Sequence, residues 1–415
     1  MSKYIINGPA RLNGIFQPSG AKNAALKMIA ASLLTKEKVI LENCPDILDV
    51  RSLIDLIESL GAKTSFSNNV LEIDPSKVNK FRPDDKIAKK IRASIVLVGP
   101  LIARFNKAQI AHPGGCLIGN RPLDAHMEVF KQYGVKVESK KNSYNFSTLK
   151  LIGAKTFPCL SVTATENAIM TAVLASGISV VYAAAAEPEI KDLILMLRSM
   201  GAKIKGAGTH NVTIEGVKKL SGTRFRIIPD RIEIGTIVCA ALATNSEITI
   251  NDVREKDMGN FIYKLESLGA KFKIENSQLT VLKSKIISGK IDTRTYPGFS
   301  TDLQSPTAAL LTQARGKSRI FETLFENRFN FISELNKMGA KIKQINDFVI
   351  EISGPTNMTG AKIESSDLRA GAALVIAGLI AKGKTVINNI DIFERGYEKW
   401  ENKLSNLGVE IIKEE

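Results

Sequence analysis

Two kinds of apolar pattern alternate along the chain, and together they predict a repeated helix and strand unit. In the first kind apolar residues recur at three- and four-residue intervals, the mark of an amphipathic helix, and each run stops at a Gly turn. These turns read Leu60-Gly61-Ala62-Lys63, Tyr133-Gly134-Val135-Lys136, Met200-Gly201-Ala202-Lys203, Leu268-Gly269-Ala270-Lys271, Met338-Gly339-Ala340-Lys341 and Leu407-Gly408-Val409-Glu410. They fall roughly 70 residues apart, which is the spacing of a supersecondary repeat. Gly takes the left-handed conformation that closes a helix, and the Lys beyond it suits the negative helix end. The second kind is apolar nearly all round and flows into a β-branched strand, as in Ala172-Val173-Leu174-Ala175 before Ile178-Ser179-Val180-Val181. Such helices are expected inside, covered by the amphipathic helices and walled by the strands.

The predicted fold class is therefore α/β, built from six copies of one unit. A chain of 415 residues exceeds what a single core supports, so the units should divide three and three. The segment Arg226-Ile227-Ile228-Pro229-Asp230-Arg231 punctuates the middle, and the short strand expected within residues 1–21 should pair with the last unit. The expected domains are residues 22–229 and a discontinuous partner made of 1–21 and 230–415.

Composition changes this picture little, since 44% hydrophobic and 24% charged residues describe an ordinary globular protein. The uncharged stretch from Ala168 to Ala186 is interrupted by Ser176-Gly177 where every other copy turns from helix to strand, so no membrane span is expected. No charged-then-apolar leader opens the chain, and a cytoplasmic location is expected. The net charge of +15 is spread over helix ends without aromatic interleaving, which argues against nucleic acid and leaves anionic small molecules as partners. Cys44, Cys116, Cys159 and Cys239 have neither metal-ligand spacing nor a disulfide framework, and all but Cys116 are expected to be reduced and inert.

The starts of the buried helices carry the candidate chemistry. They read Ser19-Gly20-Ala21-Lys22-Asn23, Arg92-Ala93-Ser94, Thr163-Ala164-Thr165-Glu166-Asn167, Asp230-Arg231-Ile232-Glu233, Ser300-Thr301-Asp302 and Ser365-Ser366-Asp367-Leu368-Arg369. Ser, Thr and Asp there serve as N-caps. Lys22, Arg92 and Arg369 do not, because a cation opposes the positive helix end unless an anion sits between them; the expectation is a cradle for phosphate or carboxylate. Gly114-Gly115-Cys116, near Arg121, places a thiol on a glycine-rich loop, where a lowered pKa is expected. Phe393-Glu394-Arg395-Gly396-Tyr397 brings another cation after a strand. Gly378-Leu379-Ile380-Ala381-Lys382-Gly383-Lys384-Thr385 spells a phosphate-loop pattern, but here a helix ends and a strand begins, the reverse of what that loop requires. His126 is expected on a helix face rather than as a base.

With these segments in hand, the chain resembles the enolpyruvyl transferase family, in its UDP-sugar branch, essentially end to end. The resemblance rests on the helix starts above together with Pro113-Gly114-Gly115-Cys116, Arg121-Pro122-Leu123-Asp124, Phe325-Glu326-Asn327-Arg328-Phe329 and Asp391-Ile392-Phe393-Glu394-Arg395-Gly396-Tyr397. It implies two inside-out α/β domains of three units each, joined by a double crossover, with the active site in the interdomain cleft. It also implies that the 3′-hydroxyl of UDP-N-acetylglucosamine adds to C2 of phosphoenolpyruvate and that phosphate then leaves, without metal or organic cofactor. Asp302 would take the hydroxyl proton, and Cys116 would protonate the methylene carbon. Lys22, Asn23, Arg121, Arg369 and Arg395 would hold phosphoenolpyruvate, with Lys22 and Arg395 stabilising the shifting charge. Asn23, Arg92, Arg121, Pro122, Leu123, Asp124, Ala125, Ser161, Val162, Thr163, Asp302 and Leu324 would hold the UDP-sugar. The chain departs from many relatives at Thr163, where they have Gly, at Ser300, often Pro, and at Cys159, where some have Lys. A transferase acting on another phosphorylated sugar, or a non-catalytic UDP-sugar-binding protein, are the alternatives.

Overall fold

The structure, a computed structural model, describes residues 2–112, 114 and 123–415. All six repeat glycines have positive φ, from 73° at Gly134 to 108° at Gly61. At the first turn Gly61 N–H bonds Glu58 O at 2.8 Å and Ala62 N–H bonds Ile57 O at 3.1 Å, the paired bonds that satisfy a helix's last carbonyls. The amphipathic helices these turns close are Leu48–Ser59, Asp124–Gln132, Pro188–Ser199, Glu255–Glu266, Ile332–Lys337 and Trp400–Ser405.

Six further helices are the inner ones: Lys22–Ala31, Val98–Phe105, Val162–Ala172, Arg231–Ala243, Gln304–Leu311 and Leu368–Ile380. In Arg231–Ala243 every residue from Ile232 to Leu242 is buried, as an all-round apolar helix requires. The strands alternate instead, with one face in and one out, as in Asn211–Glu215. One unit contains the described residues from Gly20 to Ile228, and the other contains the described residues up to Ser19 together with Pro229–Glu415. Each unit has its own apolar core.

Strand pairing explains why the units are cut where they are. In the third repeat Lys155–Thr156, helix Val162–Ala172 and Ile178–Tyr182 form a parallel β-α-β turn, and the hairpin of Lys203–Lys205 and Asn211–Glu215 completes the sheet. In the first repeat the strand before the helix is replaced by Thr223–Arg226, which lies parallel to Val39–Glu42. Asn13–Phe16, which precedes that helix in sequence, instead lies parallel to Glu247–Ile250 in the fourth. Lys3–Gly8 sits between Gly383–Asn388 and Ile411–Glu414, antiparallel to both. The first segment thus supplies two strands rather than the single one expected, and completes two different sheets.

No described helix is long and apolar enough to cross a membrane. The phosphate-loop lookalike is the turn between helix Leu368–Ile380 and strand Gly383–Asn388.

Inside the Gly20–Ile228 unit, Lys27 Nζ lies 2.5 Å from Glu166 Oε1, with side chains 5% and 0% exposed. Burial pushes the Glu166 carboxyl up to about 7; Lys27 pulls it down, while Glu187 and Glu189 push it further up. Lys27→Met leaves that carboxylate buried without its cation and is expected to cost about 3–5 kcal/mol near pH 8, read by urea denaturation. Because the folded carboxyl holds its proton more tightly than the unfolded one, its penalty is absent below the ordinary value of 4.5 and develops as pH rises through about 7. The loss should therefore shrink near pH 5. An equal loss at both pH values would clear Glu166 of responsibility.

Candidate active site

In the Gly20–Ile228 unit the first inner helix starts without a side-chain cap, and Ala21 N–H bonds Ile228 O at 2.7 Å. A Cβ on Gly20 would stand 1.7 Å from Asn43 O, so only Gly lets the chain pass there. Lys22, the first helical residue, meets Asp49 Oδ2 at 2.6 Å, both side chains nearly buried at 12% and 9% exposed. Asn23 follows, half-buried. Arg92 opens the short 3₁₀ turn Arg92–Leu97 ahead of the next inner helix.

His126 lies on the buried face of helix Asp124–Gln132. Asn167 Nδ2 donates to its Nδ1 at 3.0 Å, which puts the ring proton on Nε2 and makes that nitrogen the donor to Thr163 Oγ1 at 2.9 Å. Burial and then the Arg92 charge push the imidazole down to about 3, so it stays neutral. The extra hydroxyl at Thr163 thus has a fixed partner. Ser161, not Thr163, caps this helix, its Oγ accepting from Ala164 N–H at 3.4 Å. Just before it, Cys159 and Leu160 both have positive φ, 52° and 59°, a strained pair for non-glycine residues. Cys44, Cys159 and Cys239 are free thiols, the first and last buried and Cys159 exposed. Asp124 begins the Asp124–Gln132 helix and is exposed, with Leu123 and Ala125 half-buried beside it. Cys116, Arg121 and Pro122 lie outside the described residues.

In the other unit a directed network surrounds Asp302. Ser300 is the cap here, its Oγ accepting from Asp302 N–H at 3.3 Å, which frees the Asp302 carboxylate for other work. Arg328 Nη2 donates to Oδ1 at 2.7 Å and Arg369 Nη2 to Oδ2 at 2.9 Å. Burial alone would raise this carboxyl, but Arg369 and Arg328 outweigh it and hold it far below the usual carboxylate range. Arg369 Nη1 donates to the Tyr397 hydroxyl at 3.2 Å, that hydroxyl is 2.9 Å from Thr236 Oγ1, and Thr236 donates to Ile232 O at 2.8 Å. Asp367 fixes the same arginine from behind, accepting from Arg369 N–H at 2.9 Å and Ala370 N–H at 3.0 Å. Leu324 is partly exposed, its N–H held by Glu322 Oε1 at 2.9 Å, while Glu322 Oε2 accepts from Thr301 Oγ1 at 2.7 Å. Arg395 is half-buried at the end of the short helix Asp391–Glu394.

The expectation that Lys22 and Arg369 require an outside anion is corrected: the chain supplies Asp49 and Asp302. Asp49 and Arg328 are the residues that sequence reasoning missed. Arg328 did stand in a quoted motif, and a cation flanked by Phe325 and Phe329 was the available signal.

Comparison with known proteins shows the family. The family model described as EPSP synthase (3-phosphoshikimate 1-carboxyvinyltransferase) matches residues 6–404. A UDP-N-acetylglucosamine 1-carboxyvinyltransferase of Halothermothrix orenii is 43% identical over the whole of both chains. The chain belongs to the enolpyruvyl transferase family. A Prochlorococcus marinus enzyme of the same name is 44% identical over 99% of this chain and 91% of its own. The enolpyruvyl transferase fold recurs in the solved NikO of Streptomyces tendae, with TM-score 0.89, 23% identity and coverage of 99% and 98%. It recurs again in an EPSP synthase of Acinetobacter baumannii, with TM-score 0.78, 16% identity and full coverage of both chains. As an enolpyruvyl transferase, the chain has two described sets of polar residues to assign, one in each unit.

Proposed function

We propose that this chain transfers the enolpyruvyl group of phosphoenolpyruvate to the 3′-hydroxyl of UDP-N-acetylglucosamine, releasing phosphate. The observation that carries this reading is identity of 43–44% over nearly the full chain to relatives named for that activity. The product would feed peptidoglycan synthesis, and the enzyme would work in the cytoplasm.

The residue assignments follow the chemistry. Asp302 accepts the hydroxyl proton as oxygen bonds to C2, and Cys116 delivers a proton to the methylene carbon, giving a tetrahedral adduct. Loss of phosphate and of one methyl proton restores the double bond. Lys22, Arg121, Arg369 and Arg395, with Asn23, hold the phosphate and carboxylate groups while charge moves between them. Arg92, Pro122, Leu123, Asp124, Ala125, Leu324 and the Ser161-Val162-Thr163 segment hold the UDP-sugar.

The depressed basicity of Asp302 fits a base that is masked until substrate arrives. An anionic substrate that drew Arg369 or Arg328 toward itself would return proton affinity to the carboxylate. Phosphate release from phosphoenolpyruvate should therefore require UDP-N-acetylglucosamine, and mass spectrometry should find the enolpyruvyl ether of the sugar nucleotide. Release with another phosphorylated sugar alone would move the chain to a different transferase, and binding of both compounds without release would make it a binding protein.

A further inference from the structure

The phenol of Tyr4 is a buried polar group in the unit that joins the described residues up to Ser19 with Pro229–Glu415. Tyr4 lies on the first strand, between two strands from the C-terminal part of the chain, Gly383–Asn388 and Ile411–Glu414, and is fully buried. Its ring packs edge-on against Phe393 at 6.2 Å, a contact that a Phe at position 4 would make equally well. A buried oxygen needs partners, and both of its partners are carboxylates: Glu394 Oε1 at 3.0 Å and Glu401 Oε2 at 2.9 Å. Those two residues bracket the Arg395-Gly396-Tyr397 turn, one at the end of helix Asp391–Glu394 and one in the first turn of helix Trp400–Ser405. Lys413 Nζ reaches Glu394 Oε2 at 2.8 Å and supplies countercharge from the last strand. The far end of the short helix is tied to the residue just before that strand, with Ser2 Oγ donating to Asp391 Oδ1 at 2.5 Å.

We propose that Tyr4 is a positioning residue for Arg395, its one hydroxyl proton shared between Glu394 and Glu401 so that the turn they bracket, with Arg395 in it, is held at one fixed place. A four-residue helix has too few internal hydrogen bonds to hold its own orientation, so these ties set it. On the other side of Arg395 the turn is already fixed by Tyr397, through Arg369 and Thr236. The proposal rests on the reading that Arg395 grips phosphoenolpyruvate.

The test is steady-state kinetics of the full chain carrying Tyr4→Phe, Arg395→Lys and both together. Tyr4→Phe is expected to raise the KM for phosphoenolpyruvate roughly tenfold, the effect of losing one charge-assisted hydrogen bond, with little change in the KM for UDP-N-acetylglucosamine. Its effect should largely vanish in the Arg395→Lys background, a coupling that a purely structural role would not produce. An Arg395→Lys variant with native KM for phosphoenolpyruvate would overturn the Arg395 assignment and the positioning role with it. If Arg395→Lys raises that KM while Tyr4→Phe does not, or if both substrates' KM values rise equally, Tyr4 is structural and only the positioning role falls. Should Tyr4→Phe melt below the assay temperature, Glu401→Gln, which weakens a single tie, is held to the same criteria.

Discussion

Replacing Asp302 by Ala is expected to cut turnover by about 10²-fold or more while UDP-N-acetylglucosamine still binds, the scale of loss that follows removal of a general base. The carboxylate sits between two guanidinium groups whose side chains are 4% and 9% exposed, while its own side chain, at 23% exposed, is not sealed off. Ala also strands two buried cations, and its effect must be separated from lost stability. Asp302→Asn keeps an acceptor for one arginine yet cannot take up a proton, and since it too removes the negative charge, urea denaturation of both variants supplies the separation. Turnover should fall comparably in both variants while calorimetry shows the sugar nucleotide bound by each. Near-normal turnover in the Asn variant would leave Asp302 as a counter-ion for Arg328 and Arg369 and nothing more.

Cys116→Ser should be severely impaired and Cys116→Asp should retain substantial turnover, since an acid is replaceable by another acid and a serine hydroxyl at pH 7 is none. A thiol-directed epoxide resembling phosphoenolpyruvate should then inactivate only the native chain, and faster with UDP-N-acetylglucosamine present. The other cysteines sharpen this test. Cys44 and Cys239 are buried, and burial pushes the Cys239 thiol up to about 12, so neither should be labelled. Exposed Cys159 is the real competitor. Mass spectrometry that locates the adduct on Cys159, or a fully active Cys116→Ser, would remove Cys116 from the mechanism.

The six-fold pattern was legible because it is local: a glycine at positive φ and the helix before it are specified within a dozen residues, as Gly61 and Gly201 show. The buried helices were legible for the same reason, their all-round apolarity leaving them no other place. Lys22 and Arg369 were correctly singled out as cations in an unfavourable setting, yet their partners were not, because Asp49 is 27 residues from Lys22 and Asp302 is 67 from Arg369. No spacing rule links residues that meet only after separate elements pack. His126 illustrates the same limit: the helix was predictable, but which face turned inward toward Asn167 and Thr163 depended on a neighbouring repeat.

The place of the first strand also bears on how the molecule is made. Lys3–Gly8 pairs with Gly383–Asn388 and Ile411–Glu414, so this strand has no partner until segments far downstream of it have been synthesised. Asn13–Phe16 waits in turn for Glu247–Ile250. The unit from Gly20 to Ile228 has no such debt to the distant C-terminus and can close its sheets while the rest is still being synthesised, as units of long chains commonly do. Truncation within the last four residues of the final strand should therefore be felt at the opposite end of the chain, as loosened protection of the Lys3–Gly8 amides, long before it is felt in the middle.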